Sequence, residues 1–70
     1  MNSRLRSFRE QQRLSILEMS KSLGVSKSNY EKVEYGQRTP SYNFVKRFKR
    51  KYPMADTDAL FFDDSYTENV

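Results

Sequence analysis

Seventy residues without a cysteine or a histidine make one small domain, with no disulfide and no thiolate-bound zinc to staple its core. Nowhere do about 18 apolar residues follow one another, and the opening MNSRLRSFREQQR has no apolar stretch of signal-peptide length, so a cytoplasmic, non-membrane protein is expected. The net charge of +4 is unevenly divided: residues 1–52 hold all 13 Lys and Arg with four acids, and residues 53–70 hold the other five acids and no base. A basic body suits a polyanionic partner, because neutralised phosphates release counterions and supply affinity for any sequence.

In chain order, Leu5 and Phe8 repeat at i and i+3 behind Asn2 or Ser3 as a cap, which predicts a first helix from about residue 3 to 12. Ser15-Ile16-Leu17-Glu18 then has the S-x-x-E form, in which a hydroxyl and a carboxylate each satisfy an orphan N–H at a helix start. A second helix should run from about 16 to 22, with Met19 and Leu23 four residues apart on its inner side. Gly24 follows where a positive φ ends a helix cheaply.

Val25 can bury its side chain in that corner, and Ser26 can cap the next helix by accepting from the N–H of Ser28 or Asn29. Two short helices therefore meet through a tight turn. In the third helix, about 27 to 35, Tyr30 and Val33 fall on one face, and Lys27, Ser28, Glu31, Lys32 and Tyr35 fall on the other. Gly36 stops it. Tyr30 is bulky, so its hydroxyl is expected at the rim of the domain. Pro40-Ser41 opens a fourth helix reaching about Lys51, with Phe44, Val45 and Phe48 as an inner stripe and basic residues elsewhere. The last eight residues, DDSYTENV, are polar and unpatterned, an acidic tail expected to be flexible.

An enzyme is the weakest reading. Asp63-Asp64 is a lone acidic pair, neither glycine belongs to a phosphate-cradling loop, and isolated carboxylates do not suggest a metal site, so no cofactor or metal is expected.

The run LSILEMSKSLGVSKSNYEKVEYGQRTP, Leu14 to Pro40, resembles the helix-turn-helix of the phage repressor and Cro class, the lambda-repressor-like or XRE family. RLRSFREQQR is similar to that family's first helix, SYNFVKRFKRKYP to its fourth and DTDALFF to its short fifth, so the likeness covers roughly residues 4–62. It is especially close to small regulators of temperate phages and mobile elements in Gram-positive bacteria. The resemblance implies an all-α, compact bundle of about five short helices, with a DNA-binding domain at 1–62 and the tail at 63–70.

It further implies that the helix after Gly24 enters the major groove of operator DNA. Lys27, Ser28 and Lys32 match base-reading positions, Asn29 is a weaker match at the same end, within reach of a base or a phosphate, and Arg38 matches a position near the DNA backbone. Glu34 matches an acid that pairs with an arginine on the first helix, here Arg9. The family's dimer contact lies around its fourth and fifth helices, which implicates Tyr52, Met54, Leu60, Phe61 and Phe62 in a homodimer; so small a monomer cannot easily bury both Phe61 and Phe62.

Two departures pull another way. Ile16 stands where the family commonly has a phosphate-holding glutamine, and Leu17 stands at an often polar position. Adjacent exposed aliphatics suit a protein better than phosphate. The alternative function is therefore an antirepressor or modulator that uses the same fold to bind a companion repressor, through Ile16, Leu17, Phe61 and Phe62.

Overall fold

A computed structural model describes residues 2–62. The fold is all-α: α1 spans Ser3–Gln11, α2 Ile16–Leu23, α3 Lys27–Glu34, α4 Tyr42–Lys51 and α5 Thr57–Phe61, and no strand occurs among the described residues. The expected bounds hold to within a residue or so. The acidic tail, residues 63–70, lies outside the described residues.

Capping chemistry sets the helix starts. Asn2, rather than Ser3, caps α1 by accepting from the Leu5 N–H, while Ser15, Ser26, Ser41 and Asp56 cap the other four. Ser15 and Glu18 form the reciprocal capping box, and hydrogen bonding from the Ser15 backbone N–H, with a further contribution from the Ser15 side chain, holds the Glu18 carboxyl below its ordinary range. Asn2 also makes two long-range bonds, its Nδ2 donating to the Leu60 carbonyl and its N–H donating to the Glu34 carbonyl. One residue thus ties the start of α1 to α3 and α5.

Three helices end in the same pair of backbone bonds. After α2, the N–H of Gly24 donates to Lys21 and that of Val25 to Ser20; after α3, Gly36 donates to Val33 and Gln37 to Lys32. Both glycines sit in the left-handed region, at φ 74° and 77°. The end of α1 repeats the pattern, with Arg13 donating to Glu10 and Leu14 to Arg9, yet its left-handed residue is Arg13 at φ 59°. A side chain there is strained, so this turn closes without the usual glycine.

The core is largely aromatic. Phe61 meets Phe44 and Phe48 edge-on at centroid distances of 5.8 and 5.2 Å, Phe8 packs against Phe48 and Tyr52, and Tyr30 stacks on Phe44 at 6.1 Å. Leu5, Met19, Leu23 and Val33 close the remaining space. Ser20 is buried and donates to the Leu17 carbonyl, a side chain small enough for α2 to lie close to its neighbours.

Several expectations need correction. Phe61 is buried at the junction of α4 and α5 and offers a partner nothing; only Phe62 of that pair is exposed. Tyr52, implicated in the dimer contact, is buried too, with its hydroxyl 3.2 Å from that of Ser22. Ile16 packs against the core, so the adjacent exposed aliphatics reduce to Leu17 alone, which is 45% exposed. The Tyr30 hydroxyl is not at the rim; it lies wholly inside and donates to Glu34.

Candidate nucleic-acid interface

The arrangement of α2 and α3 follows from the turn between them. Gly24 reverses the chain, Val25 tucks partly into the corner, and the Ser26 hydroxyl accepts from the Asn29 N–H to start α3. Arg47, on α4, reaches this turn: its Nη1 makes a long hydrogen bond of 3.5 Å to the Leu23 carbonyl, at the end of α2 where carbonyls lack partners. A Cβ added at Gly24 would come within 2.8 Å of that nitrogen. In the sequence, Arg47 is one of several bases on α4, and nothing marks it out; only the packing of α4 against α2 brings it to the turn.

The inner face of α3 is fixed by a buried polar network. Arg9 approaches Glu34 side by side, Nε to Oε1 at 2.8 Å and Nη2 to Oε2 at 3.2 Å, and its Nη1 donates to the Leu14 carbonyl. The Tyr30 hydroxyl donates to the same Oε1 at 2.8 Å. Hydrogen bonding to Glu34 raises the Arg9 pKa, while burial, helped by Glu34, drives that of the Tyr30 hydroxyl far above its ordinary value. The expected Arg9–Glu34 pair is thus present, and Tyr30 completes it. Every buried side-chain nitrogen or oxygen among the described residues has a partner.

With Tyr30, Val33 and Glu34 turned inward, Lys27, Ser28 and Lys32 are exposed on the opposite side of α3. Asn29 is half-buried at the same end. Arg38, beyond Gly36, folds back so that its Nη1 donates to Asn29 Oδ1 at 2.9 Å. The five expected DNA-facing residues therefore occupy one helix and the loop that returns to it. Leu17 at the first turn of α2 and Tyr35 at the end of α3 are the exposed large hydrophobic side chains of this unit.

A family model for a helix-turn-helix domain matches residues 3–60, from the start of α1 into α5. The chain belongs to the helix-turn-helix domain family. No curated protein and no solved structure matches it. For a helix-turn-helix domain the outward side of the second helix of the unit is the part free to reach nucleic acid, and DNA binding in general is the function that membership supports. No helix among the described residues is long and apolar enough to cross a membrane, and no group of three or more potential metal ligands occurs among them.

Proposed function

We propose that this helix-turn-helix protein is a cytoplasmic transcriptional regulator of the Cro or repressor type, of the kind found in phages and mobile elements, binding operator DNA as a homodimer. The observation that carries the reading is the division of α3: Tyr30, Val33 and Glu34 are buried while Lys27, Ser28 and Lys32 face outward from the same eight residues. Lysine donates to guanine O6 and N7, and serine donates or accepts at base edges. Lys27 and Ser28 lie at the N-terminal end of α3, the positive end of its dipole, which is favourable to phosphate. Arg38 supplies a charge to the backbone, and a dimer would place two such helices one DNA turn, roughly 34 Å, apart.

A gel shift on the DNA flanking its own gene, with and without the neighbouring regulator, tests this. Binding alone, with slower loss of affinity in salt for Arg38→Ala, supports it. Binding only in the presence of the neighbour, or displacement of the neighbour, would instead support a modulator of a companion repressor. Leu17 favours that second reading: an exposed leucine at the first turn of α2 adds apolar surface where a phosphate would approach.

A further inference from the structure

Asn29 carries chemistry that its position alone does not disclose. Asparagine reads adenine with both ends of its carboxamide, the oxygen accepting from N6 and the nitrogen donating to N7. In this protein the oxygen is already engaged, because Arg38 Nη1 donates to Asn29 Oδ1 at 2.9 Å. A guanidinium has donors only, so it is the oxygen of the carboxamide that must face it. The Asn29 backbone N–H donates to the Ser26 hydroxyl that starts the helix, which anchors the residue at the first turn of α3. The oxygen keeps a second lone pair and the carboxamide nitrogen both its donors, so the Arg38 contact fixes how the carboxamide is turned without using up its capacity.

Arg38 sits in the loop after Gly36, with no helix of its own, between α3 and α4. Its contact with Asn29 crosses from that loop to the first turn of α3, where Lys27 and Ser28 are exposed. A long side chain held at one end loses less freedom when it meets a phosphate. We propose that Asn29 is a positioning residue that holds Arg38 against the leading end of α3, so that the arginine meets the DNA backbone in register with the base-reading lysines. This rests on the operator reading above and assigns Asn29 a role in affinity for all sequences, with none in base choice.

The test uses the full chain and duplexes enriched by the wild type from a random-sequence DNA pool, beside a non-enriched duplex. Asn29→Ala should weaken both duplexes several-fold and leave the enriched sequence pattern unchanged. In an Arg38→Ala background the same change should cost nothing further. In the free protein, NMR relaxation of the Arg38 Nε–H group should show greater mobility in Asn29→Ala and wild-type order in Asn29→Asp, which keeps an acceptor. Circular dichroism confirms that the variants are folded. Loss of preference at one base pair in Asn29→Ala, an undiminished cost in the Arg38→Ala background, or unchanged Arg38 mobility would overturn the positioning role and leave the operator reading standing. A wild type that enriches no duplex would overturn the operator reading, and this inference with it.

Discussion

The two faces of α3 meet different surroundings. Inward, Tyr30, Val33 and Glu34 are almost wholly enclosed, and the Glu34 carboxylate accepts from both the Tyr30 hydroxyl and Arg9. Outward, Lys27, Ser28 and Lys32 are exposed beside the Asn29–Arg38 contact. On the proposed operator reading, eight residues separate stability from recognition. Changes on the inner face should appear in melting, and changes on the outer face in binding.

Glu34→Ala is the strongest test of the inner face. It strands the Arg9 charge, leaves the Tyr30 hydroxyl without its acceptor, and should cost about 3–5 kcal/mol in urea unfolding, a large part of the stability of so small a domain. A loss comparable to that of an ordinary surface change would show that the network holds nothing. Gly24→Ala should cost less, about 1–2 kcal/mol, because it strains a left-handed turn and displaces the Arg47 guanidinium. Arg13→Gly should act in the opposite direction, raising stability by about 0.5–1 kcal/mol, since the end of α1 has the glycine geometry without the glycine. A lowered melting temperature for Arg13→Gly would contradict that account.

The same separation governs what the sequence discloses. Helix starts and stops are legible because their chemistry is local: Ser15 with Glu18, Ser26, Ser41, Gly24 and Gly36 each act within a few residues of themselves. The burial of Tyr30 and Val33 follows from helical spacing, and Arg9 with Glu34 follows from resemblance to the family. What stays hidden depends on which elements meet. Phe61 and Phe62 are neighbours of the same type, yet only Phe61 points between Phe44 and Phe48. Ile16 and Leu17 differ in the same manner, one packed on the core and the other in solvent. Arg47 and the Asn29–Arg38 contact belong to this class, since each joins segments that are separated along the chain. The end of α1 is hidden for another reason: backbone hydrogen bonding imposes a left-handed conformation on Arg13, a residue type that does not advertise it.

The outer face is tested most directly by selecting duplexes from a random pool with the wild type and with Lys32→Ala at one salt concentration. Lys32 is exposed, so the melting temperature should stay within the range of an ordinary surface change, while preference falls at one base position of each half-site, by about 1–3 kcal/mol in discrimination. A wild type that enriches no sequence, or a Lys32→Ala pattern identical to that of the wild type, would contradict the claim that this side of α3 reads DNA.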